Sequence, residues 1–246
     1  MKIQGVSLGW NCTGAYEGTN LGLRDLAASG YLTCPFDAMN NNYIGLCKCL
    51  EDDFAHFCDP KYLEMRKAPY VDDLIRNQNK DELWIYNSYY GFAFNHESPG
   101  HGGLYLGEKW VGGINHFVDN NFENFIKRYE RRINNFRNYL ETHDFINFII
   151  WRYNRIPYEI VDIIKNKYPN LKFKVHAIVN YGRSTPNSLM SYTPGNYFGF
   201  EQRYLEYLGV DPKTNPEEYE RYSIPFTFQD NQEINEHIVL IDLMKR

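Results

Sequence analysis

The stretch Ser7 to Gly14, SLGWNCTG, sets a cysteine between two glycines directly after an apolar N-terminal run. A thiol just past a strand, at the first turn of a helix, meets unpaired backbone N–H groups and the positive end of the helix dipole. Both favour thiolate, and the same N–H groups can hold an oxyanion. Cys12 is therefore a candidate nucleophile. The bland alternative is a small buried cysteine filling a tight strand-to-helix corner. A phosphate cradle fits less well: Gly5, Gly9 and Gly14 do not make G-x-G-x-x-G, and no Lys-Ser/Thr pair follows as in a P-loop.

His96 closes the aromatic segment YGFAFNHES, where it can move a proton or simply satisfy a loop carbonyl. Asp37 in CPFDAM can orient a base, hold a substrate hydroxyl or cap a turn. Asn154, in RYNR after a buried apolar run, is the amide nominated as third catalytic member, and Arg152 beside it can hold an anionic group. Trp10 and Trp110 fall in expected loops, where they can stack a sugar or a base, with Asn11 next to Trp10 as a further ligand-binding candidate. No metal or cofactor is expected. His96, His101 and His116 lack a compact ligand spacing, and Cys47 and Cys49, two apart on an expected helix, point to nearly opposite sides.

VSLGWNCTGA, then GLRDLAASGYLTCPFDAM, then YGFAFNHES resemble a family described as papain-like cysteine peptidases, with members in bacteria and giant DNA viruses. That family shares a Ser-Leu-Gly-x-x-Cys start, a Pro-Phe-Asp segment and a downstream aromatic-x-His. The resemblance implies Cys12 as nucleophile, His96 as general base and Asp37 as a site residue.

These residues must be positioned by something. Lys2 to Leu8 reads as a strand, and Leu21, Leu23, Leu26 and Ala27 suggest a helix closed by Gly30. Tyr31 to Met39 reads as extended and broken by Pro35. Tyr43 to Phe57 reads as a helix with Ile44, Leu46, Leu50 and Phe54 inward. Leu83 to Asn95 reads as a strand pair turning near Tyr90-Gly91, and Ser98 to Gly113 as a long loop. Phe122, Phe125, Ile126, Tyr129, Ile133, Phe136 and Leu140 predict a helix over Asn120 to Thr142, with Arg131, Asn135 and Asn138 facing water.

The second half alternates. Phe145 to Trp151 is a continuous apolar run, Pro157 opens a helical pattern, and Leu171 to Val179 is apolar again: a βαβ unit with a parallel pair. His237 to Met244 is the expected last strand, and 180–235 reads as long loops around a helix at Phe200 to Leu208. The expected fold is a Rossmann-like, three-layer α/β sheet, mostly parallel, with long loops. A true papain fold lacks such a strand-helix-strand unit. The expected organisation is one domain over 1–246, with a Cys/His half (1–116) and a βαβ half (117–246).

Composition narrows the partners. The 246 residues are 43% hydrophobic and 17% aromatic, with net charge −5, so binding by wholesale neutralisation of phosphates is not favoured. Five cysteines crowd the first quarter, and neither an export signal nor a membrane span is legible, which together predict reduced thiols and a cytoplasmic protein, in the host if viral. The leading expectation is a thiol hydrolase or acyl transferase acting on an unspecified substrate. The rival is a non-catalytic module recognising a glycan, nucleotide or RNA end by aromatic stacking, or a subunit docking a protein partner.

Overall fold

The computed structural model describes residues 1–9, 11–67, 83–99, 110–151, 157–179 and 236–242. In chain order the elements are β1 (Ile3–Ser7), α1 (Cys12–Asn20), α2 (Tyr43–Glu51), β2 (Leu63–Lys67), β3 (Leu83–Asn87), β4 (Phe92–Phe94), α3 (Asp119–Thr142), β5 (Phe145–Trp151), α4 (Tyr158–Lys167), β6 (Phe173–Val179) and β7 (Ile238–Asp242).

Four strands form a parallel sheet in the order β1-β5-β6-β7. β5 is apolar but for Asn147 because it is central and covered on both faces. Phe148 meets Phe136 of α3 at 6.4 Å between ring centroids, which puts α3 on one face. α2 and α4 keep company with α3: Phe54, just past α2, packs on Phe136, and Lys167 of α4 donates to the Leu50 carbonyl. The alternate residues of β5, Ile149 and Trp151, face α1 on the other side. The result is a three-layer α/β fold.

α1 sits very close to the sheet. A Cβ at Gly18 would stand 2.4 Å from Ile149 Cδ1, and one at Gly14 3.2 Å from Trp151 Cβ. That close approach explains a correction. The expected helix at 21–30 is instead a set of turns with a short 3-10 turn at Ala27–Ser29, closed by Gly30. The helix lies earlier, at Cys12–Asn20: its start at Cys12 is as expected, but its extent was not legible because its inner face is glycine and alanine rather than a leucine stripe.

Other boundaries moved for local reasons. The segment 31–39 carries a 3-10 turn at Pro35–Ala38. α2 stops at Glu51, since Asp53 and Phe54 adopt positive φ, and its Ile44 points outward while Tyr43, Leu46, Cys49 and Leu50 go in. Cys47 is half-buried and Cys49 buried. In α3 the backbone is left-handed at Asn120, Asn121 and Phe122 and regular from Glu123. Phe125, Tyr129, Ile133, Phe136 and Leu140 are buried as expected, and Arg131 and Asn138 are exposed. Asn135 is not: its side chain donates to the Thr33 carbonyl at 3.0 Å.

The βαβ unit is present as read, with β5 and β6 in parallel register and α4 starting after Pro157. A second, antiparallel sheet, β2-β3-β4, contains the expected hairpin. The expected loops and helix within 180–235, and most of the 98–113 loop, lie outside the described residues. Among the described residues, no helix is long and apolar enough to cross a membrane.

Candidate active site

The site starts where β1 ends. Leu8 continues the ladder by donating to the Ile149 carbonyl at 2.8 Å, and Gly9 then turns the chain with φ +92°. The Gly9 N–H donates to Ser7 Oγ at 3.2 Å, inside the protein. Asn11 is the N-cap of α1: its side chain accepts from the Thr13 N–H at 2.9 Å. This is the role the structure gives Asn11, and it makes Cys12 the first residue of the helix. Cys12 is exposed, beyond the carboxyl end of a parallel strand, where open α/β sheets gather ligands.

The electrostatics of the thiol run against simple activation. Although the residue is exposed as a whole, partial desolvation of the sulfur pushes the Cys12 thiol above its usual range, and a hydrogen bond from its own backbone only partly offsets this. At neutral pH the resting group is therefore the thiol. Attack by this sulfur needs a base that removes the proton as the bond forms.

Three consecutive buried asparagines, Asn40, Asn41 and Asn42, organise the surroundings. Asn41 donates to the Leu8 carbonyl at 2.9 Å and lies against Gly9. Asn42 caps α2 by accepting from the Gly45 N–H, and its amide donates to the Tyr90 and Gly91 carbonyls. Asn40 pairs through its backbone with Ala93 of β4, and its side chain reaches Asn95 at 3.2 Å. The strand end that leads to Cys12 and the turn that carries His96 are thus both tied to one short segment. Sequence reading missed these asparagines. The signal available was MNNNY, three amides in a row between apolar residues, which is an expensive thing to bury unpaired.

His96 is half-buried in a 3-10 turn at Asn95–Glu97. Its neighbour Glu97 is fully buried and was also missed. Glu97 accepts from Tyr129 Oη and Arg132 Nη1, both at 3.1 Å, and pairs with Arg128 Nε at 3.1 Å.

Asp37 is buried and fully engaged on one oxygen. It accepts from the Cys34 N–H at 2.8 Å, from Tyr31 Oη at 3.0 Å and from Arg24 Nη2 at 3.2 Å. Burial pushes its carboxyl up, which Arg24 and the other donors only partly counter. Arg24 also donates to Thr19 Oγ1 and the Ala15 carbonyl, so Asp37 locks the end of α1 to the Pro-Phe-Asp turn.

Trp110 is half-buried; it stacks on His116 and packs edge-on against Phe117 at 4.9 Å. Trp10, Arg152 and Asn154 lie outside the described residues, as does His101. Among the described residues, no three His, Cys, Asp or Glu side chains gather as a metal site would require.

No curated relative and no solved structure matches the chain. A family model does, over residues 4–181, a span that includes the end of β1, the asparagine segment, the His96 turn and the βαβ unit. The chain belongs to the family described as Putative papain-like cysteine peptidase (DUF1796).

Proposed function

We propose that the protein is a thiol hydrolase or acyl transferase using Cys12 and His96. Cys12 Sγ attacks a carbonyl carbon while His96 accepts the thiol proton, and the Cys12 backbone N–H at the start of α1 donates to the oxyanion. His96 then returns the proton to the leaving group as the thioester forms. Water or another nucleophile, deprotonated by the same histidine, releases the acyl group. Asp37 acts as a positioning residue, since it anchors α1 through Arg24 rather than facing solvent.

One observation carries the reading. An exposed cysteine opens a capped helix beyond a strand end, and the segment holding that strand end also holds the histidine turn. The raised thiol fits a mechanism in which the base acts during attack.

The test is alkylation by iodoacetamide, followed by mass spectrometry for each cysteine between pH 6 and 10. Cys12 should react before Cys34, Cys49 and Cys58, whose thiols are pushed up by burial, Cys58 to about 12. His96→Ala should slow Cys12 near neutral pH and leave only the limb that climbs as the thiol itself ionises. Cys12 reacting slowest of the five, or an unchanged rate in His96→Ala, overturns the proposal.

A further inference from the structure

The turn that carries His96 is pinned more heavily than a hairpin exit requires. Asn95 is held by Asn40, on the side of the segment that reaches Leu8 and Gly9. Ser98 is fully buried; its hydroxyl donates to the Phe94 carbonyl at 2.6 Å and accepts from the Ile85 N–H at 2.7 Å. Glu97, at 0% exposure, reaches Tyr129, Arg132 and Arg128 on α3. Three side chains flanking one histidine therefore run to three different elements.

Stability alone gives a weak account of Glu97. A buried carboxylate between two arginines is no better for stability than well-packed apolar residues of similar volume, because desolvation offsets the attraction. What such a pair does provide is direction: its hydrogen bonds tolerate little displacement. Arg128 extends the same network outward, with its guanidinium 5.0 Å from the Phe117 ring that Trp110 packs against.

We infer that Glu97 is a positioning residue for His96, fixing the imidazole relative to Cys12 through its ion pairs with α3. This rests on the Cys12–His96 reading given above. Asn40 and α3 anchor the residues on either side of His96 in the chain, so the turn that carries the base is held in place before any substrate arrives.

The experiment compares Cys12 alkylation by iodoacetamide across pH in the full chain and in Glu97→Gln, Tyr129→Phe and His96→Ala, with urea unfolding of each. Glu97→Gln keeps the side-chain shape and removes the charge; Tyr129→Phe keeps the ring and removes one donor, so it carries the test if Glu97→Gln does not fold. Glu97→Gln should lower the neutral-pH rate roughly tenfold, a part of the ~10²–10⁴-fold that a positioned base contributes. It should also flatten the histidine-dependent limb of the profile, and Tyr129→Phe should do so less. A purely structural Glu97 would shift the unfolding midpoint and leave that limb in place, which overturns the inference while the base reading stands. If His96→Ala leaves the rate unchanged, both fall.

Discussion

Asn40 and Asn95, 55 residues apart in the chain, meet side chain to side chain at 3.2 Å. Asn40 is also bridged through its backbone to Ala93, in both directions, at 2.8 and 2.9 Å. Its neighbour Asn41 holds Leu8. A loop of asparagines thereby couples the end of the parallel sheet to the antiparallel hairpin, and the chemistry proposed for Cys12 and His96 depends on that coupling.

Gly9→Ala tests the tightest point of the coupling. The residue has φ +92°, and an added Cβ would stand 2.5 Å from Asn41 Nδ2, on a side chain that is itself fully buried. Left-handed strain and overpacking together should cost about 2–4 kcal/mol. Gly30 has φ +95° but nothing within 4 Å of such a Cβ, so Gly30→Ala should cost only the strain, about 1–2 kcal/mol. Urea denaturation of the two variants checks the difference, and equal losses would contradict the contact with Asn41.

Asp37→Ala should destabilise by about 3–5 kcal/mol, because it leaves Arg24 without its carboxylate in a largely buried position. Asp37→Asn should lose less. It retains an acceptor for the Cys34 N–H and relieves the burial that already pushes the carboxyl up. Chemical denaturation at pH 7 separates the two.

Phe136 meets Phe36, Phe54 and Phe148, with ring centroids 6.3, 5.4 and 6.4 Å away, and is 1% exposed. Phe136→Ala should cost about 3–5 kcal/mol. Calorimetry should then show the melting temperature lower by roughly 10 °C. An unchanged melting temperature would mean that α3 does not close this face of the sheet.

His176 supplies a pH dependence. Its ring lies on β6, with Nε2 donating to Asn147 Oδ1 at 2.8 Å and Nδ1 buried with no hydrogen-bond partner among the described residues. Burial, with Lys174 adding to it, pushes the imidazole down to about 4. The unfolded chain therefore takes up this proton first as pH falls. Stability from this group is complete above about pH 6.5 and is lost on acidification towards pH 4, by roughly 3 kcal/mol. Urea unfolding between pH 7 and 4 should show that loss in the native protein. The loss should be smaller by this amount in His176→Gln.

Much of the architecture was legible because it rests on repetition. The apolar run Phe145 to Trp151, the proline-led helix and the next apolar run dictate a parallel pair with covered faces, and that pair is present in register. The stripe on α3 was legible for the same reason, since burial repeats with the helical period. Cys12 stood out by its place at a strand-to-helix corner, and the family resemblance singled out His96 and Asp37. Partners were another matter. The extent of α1 was hidden because glycine packing against Ile149 leaves no periodic signal, and Asn41, Glu97 and Arg132 looked like ordinary polar residues until their partners met them. Local chemistry and periodicity belong to neighbouring residues in the chain, so the sequence by itself determined them. The pairing of Asn40 with Asn95 and of Glu97 with α3 brings together residues far apart in the chain. Only the folded arrangement could decide those.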